Sequence, residues 1–259
     1  MSGAVGAFDS HLEQWLDAEP ELRLARLFVA EAREPRIAAL EAIGHELHAA
    51  LFEVADDRIA QAKLAWWMEE LAQRPRHPLT RGLAEASAGS QAAVAPLREA
   101  CAALLRFAQQ DSVESMDQLI SPLARAADGL VRARARGAGP AISPRALAAA
   151  RLVFAARDWL RFARPERAWL PLDLLARAGV DRAGAVGSVP VVTALLRGLC
   201  DAMADVPARD LRGIDGARVA AARTWAARMA GAPRALLDGR LAAPHVALVF
   251  GLWRVGRRR

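Results

Sequence analysis

The run DDRIAQAKLAWWMEEL, residues 56–71, decides the fold of this chain. Its apolar residues Leu64, Trp67 and Leu71 recur at three- and four-residue spacing, which places them on one face of a helix. Either aspartate at the start of the run can accept hydrogen bonds from the free N–H groups of the first turn, and Pro75 ends the helix soon afterwards. The run therefore predicts a helix whose aspartates form its cap rather than a metal site.

The same helical period continues along the rest of the chain, and no alternating pattern is long enough for a strand. Further helices are predicted at residues 10–16, 21–32, 35–54, 80–88, 92–109, 115–136, 144–162, 189–204, 216–229, 233–241 and 241–255. The breaks between them, such as residues 137–140, are short, and no long polar linker separates two halves. The sequence therefore predicts one all-α domain over residues 1–259, a single-domain helical bundle.

Composition narrows the class of protein. Of the 259 residues, 54% are hydrophobic and 25% are charged, which excludes a disordered chain. Cys101 and Cys200 are the only cysteines and lie far apart in sequence, so a disulfide scaffold is excluded as well. The net charge is +6, and Lys63 is the one lysine among 35 basic residues. This charge suits an acidic partner such as nucleic acid, a diphosphate or an anionic membrane, although a GC-biased genome gives the same arginine enrichment.

The sequence also bears on location. The first residues have neither a basic segment nor an apolar core of signal-peptide length, and no stretch has the ~18 to 20 uninterrupted apolar residues of a membrane-spanning helix. The nearest stretch, residues 241–255, contains Pro244 and is followed by arginines at 257–259. We expect a cytoplasmic protein in which this stretch is the last helix of the bundle. The alternative is an interfacial helix with a basic tail, which makes the protein peripheral to the inner membrane.

Two segments, residues 27–83 and 148–180, resemble the squalene/phytoene synthase family of head-to-head prenyltransferases. The first looks like the family's "RxALxAxxxEL" and "RLxWWRxEL…HPV" patterns, and the second like "RDxxEDxxxGRxYLPxDxLxxxGV". The strings that carry the resemblance are RIAAL at 36–40, AKLAWWMEEL at 62–71, HPL at 77–79, RD at 157–158, RAWLPLD at 167–173 and GV at 179–180.

The resemblance implies the all-helical isoprenoid-synthase fold with a central cavity. In that family two aspartate-rich motifs face each other across the cavity, and their carboxylates, one helical turn apart, hold Mg²⁺ against the substrate diphosphates. The metal neutralises the leaving diphosphate and so helps to form an allylic carbocation. The cavity is otherwise apolar and excludes water from that cation.

The first aspartate-rich motif is degenerate in this chain. Alignment places it on residues 48–52, where His48 and Phe52 stand at motif positions. The nearest carboxylates are Glu46 and Glu53, one on either side. The resemblance therefore gives no catalytic acid at this motif.

The second motif keeps Asp158, but its next two acidic positions fall on Arg161 and Phe162. An arginine at a ligand position repels Mg²⁺, although it can contact a phosphate. We therefore expect no metal site and no cofactor. Mg²⁺ is expected only if the protein is catalytically active, with Glu46, Glu53 and Asp158 as its weak candidate ligands.

Four residues are candidates for binding a substrate anion: Arg36, Arg157, Asp158 and Arg161. The last three serve this purpose if they face the cavity, and Arg36 lies near the start of the first motif helix. The alternative is structural, a buried or half-buried Arg–Asp pair that holds two helices together.

Several other side chains are interpreted as structural. His45 and His48 have no second cluster to complete a zinc site and are assigned to a partly exposed helix face. Trp67 fits the apolar stripe of its helix, whereas Trp66 is expected to pack on a neighbouring helix.

A basic patch precedes the break at residues 137–140. It has no nucleic-acid-binding motif and no interleaved aromatic platform, so nucleic acid is disfavoured as a partner. We interpret it as a solvated helix end whose cations complement the helix dipole. The patch consists of Arg125, Arg132, Arg134 and Arg136.

The leading functional interpretation is a squalene/phytoene synthase-like pseudoenzyme that keeps the fold and lacks Mg²⁺-dependent condensation. Such a protein binds a prenyl diphosphate or other apolar ligand, or acts as an assembly or interaction factor. Family members with eroded aspartates resemble assembly factors of respiratory complex I, which implies a respiratory-complex or membrane-surface partner. The alternative is an active prenyltransferase with an atypical site that condenses farnesyl or geranylgeranyl diphosphate.

Overall fold

The structure, a computed structural model, describes residues 2–135, 142–167 and 169–257. These ranges contain helices and no strand, which confirms the predicted all-α class. Within them no helix combines the length and the hydropathy that crossing a membrane requires. The predicted break at residues 137–140, Arg136 of the basic patch and the last two arginines of the tail lie outside the described residues.

The described helices follow one another through short connections. Two of the elements are short 3-10 helices, at Ala30–Arg33 and Ala208–Asp210. The α-helices are α1 (Ser2–Ala18), α2 (Pro20–Phe28), α3 (Pro35–Phe52), α4 (Asp57–Glu70), α5 (Pro78–Ala86), α6 (Val94–Ala108), α7 (Met116–Arg134), α8 (Pro144–Ala156), α9 (Trp159–Phe162), α10 (Leu172–Ala178), α11 (Arg182–Ala185), α12 (Val189–Ala204), α13 (Gly213–Gly231), α14 (Pro233–Leu237) and α15 (His245–Gly256).

Side-chain caps fix where several of these helices begin. The Asp56 carboxylate accepts hydrogen bonds from the backbone N–H groups of Arg58 and Ile59, so α4 starts at Asp57 as the sequence indicates. Ser143 caps α8 in the same way, and Pro144 occupies the first turn, where no backbone donor is needed. The predicted capping roles are confirmed.

The predicted helix at residues 144–162 is in fact two helices. α8 ends at Ala156, and the Asp158 carboxylate accepts a hydrogen bond from the Arg161 N–H at 3.2 Å, which caps the short α9. The prediction of one continuous helix is wrong because an aspartate stabilises a new helix start better than a helix interior. The remnant of the second motif therefore lies at a helix break.

α3 is the central helix of the bundle, with fourteen of its eighteen residues buried. A helix buried on nearly all sides belongs in the middle of a packed array. It contacts α1, α4, α5, α6 and α7, while α8 contacts α7, α12 and α13. A continuous hydrophobic core that runs from Trp15 to Val255 joins these helices, and α3 and α8 provide two walls of the main cavity.

The adjacent tryptophans of α4 have different surroundings. Trp67 is buried, as predicted. Trp66 is 42% exposed and lies edge-on to Trp67 and His77, with ring centroids 5.1 and 5.8 Å apart. The prediction that Trp66 packs on a neighbouring helix is confirmed in part, because its ring contacts His77, the N-cap residue of α5, while much of it stays exposed. Successive helix positions point about 100° apart, so only one of the two tryptophans faces the core.

Gly129 sets how closely α7 approaches α6. A Cβ at this position lies 2.5 Å from the Pro96 carbonyl oxygen and 2.9 Å from the Ala100 Cβ, so a side chain forces the helices apart. We expect Gly129→Val to lower the free energy of unfolding by about 3 kcal/mol, the upper part of the usual range for overpacking, because the first clash is with backbone.

The matched control is Gly231→Val at the exposed end of α13, where a Cβ meets nothing within 4 Å. This change is expected to alter stability by less than about 0.5 kcal/mol. Urea unfolding followed by circular dichroism measures both variants, and equal midpoints for the two would contradict the close α6–α7 contact.

Candidate ligand cavity

A cavity of about 390 Å³ lies between α3 on one side and α8 and α9 on the other. Its walls bring together the two degenerate motifs: His48 and Phe52 come from α3, Asp158 comes from the break after α8, and Phe162 comes from α9. In the sequence, the pair from α3 lies more than a hundred positions before the pair from the second motif. The structure therefore unites the motif positions that the resemblance selects.

The other predicted site residues do not all line this cavity. Glu53, Arg157 and Arg161 line the same cavity. Glu46 lines a neighbouring groove with Trp66 instead. The predicted set is thus only partly brought together.

Arg36 lies at the start of α3, as the sequence indicates, but it does not line the cavity. Its guanidinium donates hydrogen bonds to the carbonyl oxygens of Ala133 and Arg134, at 2.5 and 3.0 Å. These are carbonyls of the last turn of α7, which no residue within that helix can satisfy. Arg36 therefore serves as a buried cap that ties α3 to α7, and it is not brought together with the other candidate anion-binding residues.

Aromatic rings occupy the space between the two motifs. The rings of Phe52 and Phe162 are 6.3 Å apart, and Trp169 lies edge-on to Phe52 at 4.8 Å. All three side chains are buried. Rings at these separations attract one another and exclude water. The two motif positions that carry acids in the family are joined here by an apolar contact.

The donor set at the motifs does not fit Mg²⁺, which requires an octahedral shell of oxygen ligands. The motif positions supply an imidazole, two phenyl rings, a guanidinium and the carboxylate of Asp158, which already accepts from the Arg161 backbone and lies 3.2 Å from its guanidinium. In the described ranges, no three His, Cys, Asp or Glu side chains converge as a metal shell.

A network of buried ion pairs adjoins the cavity, and two of its members, Glu19 and Arg151, line the cavity wall. Glu41 of α3 contacts three guanidiniums, those of Arg134 from α7, Arg151 from α8 and Arg218 from α13. Four helices thus converge on one carboxylate. Three arginines face three acids in the complete set, which is Glu19, Glu41, Arg134, Arg151, Asp215 and Arg218.

The charges of this network are stabilised in place. Burial opposes ionisation of Glu19, but Arg151 and a hydrogen bond from His45 outweigh it and hold the pKa of Glu19 well below the usual glutamate value. Burial lowers the pKa of Arg151 to about 10, and Glu19 opposes that shift, so Arg151 stays charged at neutral pH. The network beside the cavity is therefore charged but internally neutralised.

His48 presents a neutral imidazole to the cavity. Burial, and after it the charge of Arg151, lower the pKa of His48 to about 3. Its Nδ1 lies 2.6 Å from the Gly44 carbonyl oxygen, which can only accept, so Nδ1 carries the proton and Nε2 is left as an acceptor. The prediction of a partly exposed histidine face holds for half-buried His45 and is wrong for buried His48.

Arg157 has a partner, but not the predicted one. Its guanidinium lies 2.5 Å from the Glu21 carboxylate, which also accepts a hydrogen bond from the Trp225 indole at 2.5 Å. This pair ties the end of α8 to α2. Asp158 pairs instead with Arg161 in the same turn, where both side chains are about half exposed. The helix-bridging Arg–Asp pair is therefore an Arg–Glu pair.

The arginines of the predicted basic patch differ in burial and in their partners. Arg132 is exposed and pairs with Glu99 at 2.5 Å and with Asp128 at 2.8 Å. Arg134 is buried in the network with Glu41. Only part of the patch is the solvated helix end that the sequence predicts.

Sequence reasoning missed the buried acids and arginines of the network. One signal was present: Arg151 lies within an otherwise apolar stretch of α8, and a buried charge requires a partner. The partner itself, Glu19, lies 132 residues earlier and has no local pattern to mark it.

A helical bundle that places two motif-bearing helices across a cavity is the architecture of isoprenoid synthases. The family model for squalene/phytoene synthase matches residues 18–255, nearly the whole chain, so the protein belongs to the squalene/phytoene synthase family. No curated protein matches the sequence. The all-α fold agrees with the family.

Removing the shared carboxylate tests the network. In Glu41→Gln three buried guanidiniums lose their common anion, so we expect the free energy of unfolding to fall by about 3–5 kcal/mol. Glu46→Gln on the same helix is the control, since Glu46 is only half buried and lies outside the network. Chemical denaturation measures both, and a loss below about 1 kcal/mol in Glu41→Gln would contradict the network's role.

The lowered pKa of His48 predicts that the stability of the fold depends on pH. A histidine in the unfolded chain titrates near pH 6.5, whereas His48 in the fold titrates at about 3, so the unfolded state alone gains a proton between these values. The free energy of unfolding therefore falls as pH drops below about 6.5, by up to about 1.4 kcal/mol per pH unit. The lowered pKa of Glu19 adds a loss only below about pH 4.5.

The melting temperatures of wild type and variants are measured between pH 7 and 5. His77, whose pKa is also lowered by burial, is present in every variant, so its contribution is common to all of them. His48→Gln is expected to flatten the decline, because the unfolded state then has one histidine fewer to protonate. His245→Gln, at an exposed position, is expected to leave the decline unchanged. Identical pH profiles for wild type and His48→Gln would refute the assignment.

Proposed function

We propose that this protein binds an apolar ligand of the isoprenoid class in the cavity between α3 and α8, and that it does so without Mg²⁺ and without condensing prenyl diphosphates. The observation that carries the proposal is the contact between Phe52 and Phe162, whose rings meet at 6.3 Å at two motif positions. Condensation in the family depends on a metal that neutralises the leaving diphosphate, and aromatic rings supply no ligand for it.

The charges around the cavity support a ligand with little charge of its own. Each arginine on the wall already has a carboxylate: Arg151 pairs with Glu19, Arg157 with Glu21, and Arg161 with Asp158. A free diphosphate has to compete with these carboxylates for every guanidinium. An isoprenoid alcohol or hydrocarbon displaces none of them, and the neutral His48 imidazole offers an acceptor for one hydroxyl group.

The apolar part of the wall and the size of the cavity support the same ligand class. Phe52, Phe154, Phe162 and Trp225 contribute rings, and about 390 Å³ lies within the usual range for small-molecule sites. The pseudoenzyme role, the absence of a resident cofactor, and a cytoplasmic or membrane-peripheral location belong to this proposal. An assembly factor with a respiratory partner remains what the resemblance implies.

The alternative is an active prenyltransferase with an atypical site. It is favoured by one observation, that the carboxylates of Glu53 and Asp158 line the same cavity. Glu46, the third weak candidate, lines the neighbouring groove instead. Glu19 lines the cavity as well, but Arg151 and His45 already engage it. Glu53 and Asp158, of which Asp158 is already hydrogen-bonded, give a poorer Mg²⁺ site than the two facing motifs of the family.

Thermal unfolding of the full chain distinguishes the two functions. The probes are farnesol and farnesyl diphosphate, each with and without millimolar Mg²⁺. We expect farnesol to raise the melting temperature, because a ligand bound only by the folded state stabilises it, and we expect Mg²⁺ to change neither shift. Ala155→Trp, which fills the cavity, removes the shift, and Ala176→Trp, on the exposed face of α10, retains it.

Two outcomes would reverse the proposal. A shift that requires both farnesyl diphosphate and Mg²⁺, together with release of inorganic diphosphate, would establish the prenyltransferase. An absence of any shift with farnesol would show that the cavity does not take an isoprenoid ligand.

A further inference from the structure

The last helix, α15, has apolar side chains on two opposite faces. Its inner face, Leu248, Leu252 and Val255, is buried against the bundle. A second row at helical spacing faces outward and is exposed, and it consists of Val246 (85%), Val249 (41%), Phe250 (54%) and Trp253 (39%). A surface helix normally turns a polar face to solvent, so folding of the bundle does not account for this outer row.

Two arginines border the outer row. The Arg254 guanidinium lies 5.3 Å from the Phe250 ring centroid, and the Arg257 guanidinium lies 4.9 Å from that of Trp253. Residues 241–259 contain four arginines and no aspartate or glutamate. The surface thus combines exposed aromatic rings with positive charge, and no acidic residue of its own stretch neutralises that charge.

We propose that the outer row of α15 docks on an anionic lipid surface. Phe250 and Trp253 enter the boundary between headgroups and acyl chains, where amphipathic aromatic rings are favoured. Arg254 and Arg257 contact lipid phosphates at the level of the headgroups, which attract basic residues. α15 lies in the plane of the surface, held by its buried inner face to the rest of the protein.

A second copy of the chain fits this surface less well than lipid does. A symmetric pairing through α15 brings Arg254 and Arg257 towards their own copies, with no acid in residues 241–259 to oppose them. An anionic membrane suits both kinds of side chain on this surface, because it offers an apolar layer to the rings and phosphates to the arginines. Docking does not depend on the proposed ligand, since none of the four outer-row residues lines the cavity.

Co-sedimentation of the full chain with vesicles tests the proposal. One set contains phosphatidylcholine alone, and the other contains phosphatidylcholine with phosphatidylglycerol. We expect binding to the anionic vesicles that weakens with salt, and little binding to the neutral ones. Phe250→Asp is expected to reduce binding at least about 10-fold, because a charge replaces a ring in the apolar layer. Ile59→Asp, at a 53% exposed position on α4, is the matched control and binds as the wild type does.

Replacing the arginines separates charge from apolar contact. The double variant Arg254→Gln and Arg257→Gln is expected to lose about 5-fold in binding per arginine on anionic vesicles. Quenching by brominated lipid reports depth, and Trp253→Phe is expected to remove much of the quenching. Unchanged melting temperatures confirm that the variants fold.

Three results would overturn the proposal. They are failure of the wild type to sediment with anionic vesicles, equal binding by Phe250→Asp and wild type, and a lipid-free dimer that Phe250→Asp dissociates. The last result would assign the outer row to a second copy. None of these results depends on whether farnesol binds in the cavity.

Discussion

The carboxylate of Glu41 is the interaction on which this bundle most depends. It lies on the central helix α3 and gathers arginines from α7, α8 and α13, so one anion links four helices in the interior. Buried charges are costly when unpaired, and each of these cations has a carboxylate within reach. The cavity adjoins this network, because Arg151 belongs both to the network and to the cavity wall.

The chemistry of the cavity follows from that arrangement. In the family, carboxylates from two motifs face the substrate and recruit a metal. Here three of the carboxylates in or beside the cavity are engaged by arginines of the same chain: Glu19 by Arg151, Glu21 by Arg157 and Asp158 by Arg161. Glu53 also lines the cavity. The gap between the motif helices is occupied by Phe52 and Phe162. Ion pairs and aromatic contacts thus stand where the resemblance implies a metal shell. The cavity wall combines aromatic rings with three arginines, each of which pairs with a carboxylate of the same chain.

What could be predicted from the sequence is what local patterns determine. Local patterns, formed by residues a few positions apart, predict that the chain is helical and that Asp56 and Ser143 cap helices. The structure confirms these predictions. The two motif segments were also found from local patterns. The helix break at Asp158 was missed because the apolar pattern around it keeps a helical period, whereas the aspartate side chain caps a new helix. The partners of Arg36, Arg151 and Arg157 were missed because they lie about a hundred residues or more away, where pairing is set by tertiary packing. The overall charge gave no indication that so many arginines are buried.

The central claim is that the facing motifs no longer form a divalent metal site, and electron paramagnetic resonance of Mn²⁺ tests it most directly. Mn²⁺ takes the same octahedral oxygen ligands as Mg²⁺, and its signal diminishes when protein binds it. The full chain is titrated into Mn²⁺ with farnesyl thiodiphosphate, an analogue that does not react. The account predicts that the signal of Mn²⁺ with the analogue is unchanged by added protein. A stoichiometric loss of signal that depends on the protein would contradict it.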